Sequence, residues 1–299
     1  MVRKNFVFRR GNMDIRTLEK TNKIGYIFDI FYNGKYFDSF DEIKNKETVK
    51  GCFKNIMNSL GFTWAKGIQQ GGRTDAKVSG SNCLYVSSTF NRNIQKIIEE
   101  FNTLAGGKMK ITRCRKTFPN LAFPEYVEKR RYIYKYPQKL ITNDTDTIQK
   151  LCKELSGTYD VSVFSDSKGE KLKEHIRTVE ISFENNTLTF LGDSFMPKQV
   201  RITSGYILTG EKIPLPGKYL TLDKVVLKKE ILDNIFVEET SFTIDNVKKI
   251  EKNTTNDIHI LYVEPSKRGE VIGKNGSNIK KLRKSLGNII VRDYDNCEN

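Results

Sequence analysis

Two stretches of this chain run through the same succession of hydrophobic periods: alternation by twos, spacing by threes and fours, then alternation again. A chain written this way must pair its strands and lay helices across them. In the first stretch "KIGYIFDIFYNGKYF" alternates and is rich in aromatics, which predicts a strand, a turn at Asn33-Gly34 and a second strand. "KETVKGCFKNIMNSLG" follows, with Val49, Phe53, Ile56, Met57 and Leu60 at helical spacing and Gly61 as a stop. "FTWAKGI" and "SNCLYVSSTF" read as strands, "RNIQKIIEEFNTL" as a helix capped by Asn91, and "KMKITRCR" as a closing strand. The second stretch offers a strand in "VEKRRYIYKY", a helix in "DTIQKLCKELSG" capped near Thr145 or Asp146, and a hairpin turning at Asn185-Asn186. "QVRITSGYILTG" reads as a further helix and "GKYLTLDKVVL" as a returning strand. The class is mixed α+β with antiparallel hairpins, in two halves of related layout.

The 299 residues exceed one small domain. The pattern divides them into a basic N-terminal arm (1–22), a first half (23–118), a second half (119–229), a polar linker (230–256) and a third unit (257–299). The linker reading rests on charged text such as "FTIDNVKKIEKNTTND". The arm carries Arg3, Lys4, Arg9, Arg10 and Arg16, yet its first downstream serine is Ser39, unlike a serine-rich organellar leader. A cytoplasmic location is the expectation.

A formal net charge of +15 points to a polyanionic partner, and nucleic acid is the usual one. Five dispersed cysteines, Cys52, Cys83, Cys114, Cys152 and Cys297, form no CxxC pair and read as inert thiols in a reducing compartment. His175 and His259 are the only histidines, which excludes a histidine-rich metal site and makes a Ser-His-Asp triad poor chemistry here. No apolar run reaches membrane-spanning length.

The chemistry concentrates in the loop "IQQGGRTDAKVSGSN", where paired glycines allow close backbone approach and Arg73 stands two residues before Asp75. Read as Gly72-Arg73-Thr74-Asp75-Ala76-Lys77-Val78, it resembles the catalytic loop of the TruA family of tRNA pseudouridine synthases. "KRRYIY" resembles that family's RRY strand and points to Tyr132; "SFMPKQVRITSG" resembles its arginine-bearing helix and points to Arg201. Together with weaker echoes in "YDVSVFS" and "IRTV", the resemblance covers about residues 24–226. It implies a pseudouridine synthase fold with a central cleft between the halves, no cofactor or metal, a homodimer, and a tRNA anticodon stem-loop as substrate. Asp75 would be the covalent nucleophile. Arg201 would keep it ionised in a cleft that excludes water, with a guanidinium able to grip a carboxylate bidentately. Tyr132 would stack on the flipped uracil, and Arg73 would fill the space the base vacates. The family commonly has glycine where Lys77 stands and often histidine where Ser79 stands. A lysine at positive φ costs about 1 kcal/mol.

In the third unit, "VEPSKRGEVIGKNGSNIKKLRK" resembles a KH RNA-binding module, with Gly273-Lys274-Asn275-Gly276 as its GxxG loop. Such loops clamp about four nucleotides through their backbone. Lys274, Lys280 and Lys281 would supply charge for phosphates, and the unit would act as a tether that makes engagement of the cleft partly intramolecular. Its shortness suggests that it leans on the rest of the protein. The expected function is isomerisation of uridine in structured RNA. The alternatives are a synthase acting on another RNA, or a non-catalytic RNA-binding or assembly factor on a decayed synthase fold. Release of C5 tritium from labelled RNA separates the last from the others.

Overall fold

The computed structural model describes residues 15–90, 93–166, 174–241 and 243–294. Residues 1–14, Asn91 and Cys297 lie outside that set. In chain order the elements are α1 (Ile15–Lys20), β1 (Ile24–Tyr32), α2 (Val49–Ser59), β2 (Gln69–Gln70), β3 (Ser79–Ser88), α3 (Ile94–Leu104) and β4 (Met109–Thr117). Then come β5 (Val127–Lys135), α4 (Thr145–Glu154), β6 (Gly157–Asp160), β7 (Ile176–Glu184), β8 (Thr187–Gly192), α5 (Gln199–Thr209) and β9 (Leu220–Leu227). The last group is α6 (Lys229–Leu232), β10 (Val237–Glu238), β11 (Val247–Asn253), β12 (Ile258–Val263), α7 (Arg268–Ile272), α8 (Ser277–Leu286) and β13 (Asn288–Asp293).

The fold is mixed α+β. One sheet runs β4-β1-β3-β9-β5-β8-β7-β6, with β2 paired to β3, so a single surface crosses both halves. Its seam is the parallel contact of β3 with β9, which pairs only Ser79 with Thr221 and Gly80 with Leu222. Helices α2 and α3 bury Phe53, Met57 and Phe101 against the β1 side of the seam. On the other side α4 and α5 bury Ile148, Ile207 and Leu208 against Tyr134, Leu188 and Leu222. The β7–β8 hairpin turns at Asn185 and Asn186, both in the left-handed region (φ 48° and 57°) that a tight two-residue turn requires.

Several sequence expectations are corrected. Beyond Asn33 there is no second strand but a 3-10 turn over Gly34–Tyr36, because Gly34 packs beneath the loop that enters β3. "FTWAKGI" is irregular, and only Gln69 and Gln70 join the sheet. Asn93 caps α3, and Asp144 caps α4 by accepting from the Thr147 amide. Of the segment expected as an arm, residues 15–20 form a helix whose Leu18 is fully buried, and the Arg292 guanidinium of β13 donates to the Thr21 carbonyl at 2.6 Å.

The largest correction concerns 230–256. In place of a linker it supplies β10 and β11, and β11 pairs antiparallel with β12, which in turn pairs parallel with β13. Within this four-stranded sheet β12 is buried on both faces. Ile258, Ile260 and Tyr262 join the core of the first half, while the alternate residues Leu261 and Val263 pack with Val271 and Ile279 of the unit's own helices. The charged text that suggested a linker includes Glu251, 5% exposed, which receives Lys116 Nζ of β4 at 2.7 Å and the Tyr262 hydroxyl at 2.8 Å. The unit is therefore welded to the body by a buried polar cluster and an apolar face, which corrects the tether expectation.

Candidate active site

The loop 71–78 connects β2 to β3 at the seam, and its backbone is held from several sides. Gly71 donates its amide to the Cys83 carbonyl at 2.8 Å, and its own carbonyl accepts Arg130 Nε at 2.8 Å. Asn82 Nδ2 donates to the Gly72 carbonyl at 2.7 Å, and Thr74 Oγ1 lies 2.8 Å from the Tyr32 hydroxyl. Below the loop, glycine is required at two positions. A Cβ on Gly34 would sit 2.5 Å from the Lys77 carbonyl oxygen, and one on Gly217 would sit 2.4 Å from that of Ala76. Lys77 adopts φ +64°, the strained case for a lysine. Its amide donates to Phe37 and its ammonium to Asp38 at 2.8 Å, a hydrogen bond that holds the Asp38 carboxyl below its ordinary range. Ser79 accepts the Gly34 amide at 3.0 Å.

These supports present Asp75 to Arg201, whose Nη1 donates to Asp75 Oδ2 at 3.0 Å. Arg201 Nε donates instead to the Leu215 carbonyl at 2.6 Å, so the pair meets through one nitrogen, and the expected bidentate grip is not formed. The carboxylate is one-third exposed and the guanidinium 16% exposed, so water reaches the pair. Arg201 stands on α5, whose first turn is fixed by Gln199 Oε1 accepting the Met196 amide at 2.8 Å.

Both side chains line a cleft of about 530 Å³ that also takes in Arg73, Tyr132 and Phe195. Tyr132 is 6% exposed, and its ring meets Phe195 edge-on at 5.2 Å. Burial, eased by Arg130 and reinforced by the Asp75 charge, pushes its phenol up to about 12, so it remains a neutral hydrogen-bonding group. Arg73 projects from the rim, 72% exposed, 3.6 Å from Asp41, which also pairs with Lys50 at 3.0 Å. The weaker echoes Asp160, Phe164, Ser165, Arg177 and Thr178 are not among the residues lining the cleft.

Sequence reasoning missed Arg130, which braces the loop of Asp75 and donates Nη1 to the Asp193 carbonyl. The signal was present: alternation along β5 puts Arg130 on the face of Tyr132, and sends Arg131 to the other face, where it pairs with Asp223.

In the third unit Gly273, Asn275 and Gly276 have φ of 77°, 52° and 72°, forming a sharp loop between α7 and α8. Lys274, Asn275, Lys280 and Lys281 are exposed there, and none of these lysines forms an ion pair with a described residue. Among the described residues no cluster of three His, Cys, Asp or Glu could hold a metal ion. No described helix is long and apolar enough to cross a membrane.

A family model for the KH domain matches residues 230–295, including the two strands first read as linker. The chain is 24% identical over 202 residues to tRNA pseudouridine synthase A of Oceanobacillus iheyensis, covering 60% of this chain and 79% of the relative. Two solved structures overlap it: the archaeal box H/ACA sRNP Nop10-Cbf5 complex (12% identity, TM-score 0.34) and a Cbf5-Nop10-Gar1 complex (13%, 0.35). Each is matched over 68% of this chain and about half of its own length (48% and 50%). The chain is thus similar to a TruA-type synthase joined to a C-terminal KH domain.

Proposed function

We propose that the chain isomerises uridine to pseudouridine in structured RNA, with the anticodon stem-loop of tRNA as substrate and Asp75 as nucleophile. The reading is carried by the Asp75–Arg201 ion pair in a cleft walled by Tyr132. Isomerisation breaks the N1–C1′ bond, turns the base and forms a C5–C1′ bond, with C5 losing a proton and N1 gaining one. A carboxylate nucleophile splits this into easier steps. Arg201 pairs with the carboxylate at 3.0 Å, and the entry of a base would displace water from the pair and strengthen the attraction. The neutral Tyr132 offers a π-face worth about 1–3 kcal/mol to an unstacked base. Arg73, on the rim, occupies the stack from which the base is flipped. Similarity to a tRNA pseudouridine synthase and the KH match support RNA as the partner.

The test is tritium release from a tRNA transcript labelled at uridine C5. The wild type is expected to release tritium and Asp75→Asn is not. Equal release from both, or release from neither on any cellular RNA, would overturn the reading.

A further inference from the structure

Beside the cleft lies a second recess, of about 350 Å³, lined by Lys50, Lys54, Trp64, Lys66 and Gly67, with Glu42 as its one carboxylate. We infer that this recess binds an unstacked nucleotide flanking the target uridine, its base against the Trp64 indole and its phosphate on the lysines. The inference rests on the RNA reading above and extends it to a subsite.

Trp64 is the chain's single tryptophan and is held as a fixed platform. Its ring meets Phe62 edge-on at 5.1 Å and Phe53 at 6.3 Å, and its indole N–H donates to Asn58 Oδ1. The adjoining Ala65 amide is pinned to the Ser87 carbonyl at 2.9 Å. A rigid aromatic beside cations is the arrangement that takes a base and its phosphate together. The recess has three cations against one carboxylate. Lys54 pairs with Glu42 at 3.1 Å, while Lys66 is exposed and forms no ion pair with a described residue. Space is open at Gly67, where an added Cβ would meet nothing within 4 Å.

Two connections tie the recess to the chemistry. Ile68, at its end, leads through β2 directly into the loop of Asp75. Asp41 bridges the two sites, taking Lys50 of the recess at 3.0 Å and Arg73 of the cleft rim at 3.6 Å. A strand of RNA that delivers a base to Asp75 would therefore pass Arg73 and Asp41 before reaching Trp64.

The lone tryptophan supplies the test. The full chain is titrated with a tRNA transcript while Trp64 emission and the anisotropy of labelled RNA are followed together. Emission is expected to change with the same midpoint as anisotropy. Lys54→Ala with Lys66→Ala is expected to weaken binding about tenfold and to lower the slope of log affinity against log salt by about two. Anisotropy that saturates while Trp64 stays silent, with unchanged affinity and salt slope in the double variant, would overturn the subsite. If pseudouridine still forms in that case, the isomerase reading survives without it. A Trp64 response and charge dependence without product formation would keep the subsite and remove the isomerase.

Discussion

Asp75 and Arg201 are 126 positions apart in the chain and 3.0 Å apart in space, the first on a loop at the sheet's seam and the second on a helix of the other half. Neither half can complete the pair alone. Arg201→Lys is expected to keep the charge but lose the Leu215 carbonyl contact that aims it, and to slow single-turnover pseudouridine formation about 100-fold. Because the carboxylate is one-third exposed, thermal stability should change by less than about 1 kcal/mol. Rates near wild type would show that aim is unimportant.

Gly217 lies beneath the loop of Asp75 with no room for a side chain. In Gly217→Ala the new Cβ would press on the Ala76 carbonyl, 2.4 Å away, and push Asp75 from its partner. The expected outcome is a folded protein with turnover reduced about tenfold or more, read by circular dichroism and a product assay. Unaltered turnover would mean that the loop yields without moving the carboxylate.

The buried cluster at the KH junction should make stability sensitive to acid. Burial raises the Glu251 carboxyl, but Lys116, Lys249 and the Tyr262 hydroxyl outweigh it and hold the group below its ordinary range. Its contribution is then complete above the ordinary glutamate value, about 4.3, and is lost as pH falls through the lowered value in the fold. Urea midpoints of the wild type should drop as pH falls below about 4.3. Glu251→Gln, which strands Lys116, should already be about 3–5 kcal/mol less stable at pH 7 and should lack that part of the acid slope.

Lys274→Asp with Asn275→Asp places two carboxylates on an exposed loop. RNA affinity at fixed salt is expected to fall about tenfold or more, and thermal stability to hold within about 1 kcal/mol, measured by anisotropy and thermal melting. Equal affinity would remove the loop from the RNA interface.

What was legible in the sequence was whatever local pattern or a dense motif carries. Alternation located β1, β3, β5 and the β7–β8 hairpin, and the GRTDAKV, RRY and VR texts singled out three residues that the structure brings to one cleft. What was hidden depended on distant partners. Glu251 looks like linker charge until Lys116, 135 positions away, is seen against it. β11 alternates too weakly to stand out because one of its inward residues is that glutamate and another is the buried Asn253. "FTWAKGI" carries strand-like residues, yet it bends away to brace Trp64 and to reach β2.

The strand β12, covered on both sides, has one last consequence. A module fastened through its central strand holds the GxxG turn at a constant offset from the Asp75 cleft. On the proposed function, an RNA that touches both would present its two contact points at that separation. The fusion would then act as a caliper, favouring partners by their dimensions.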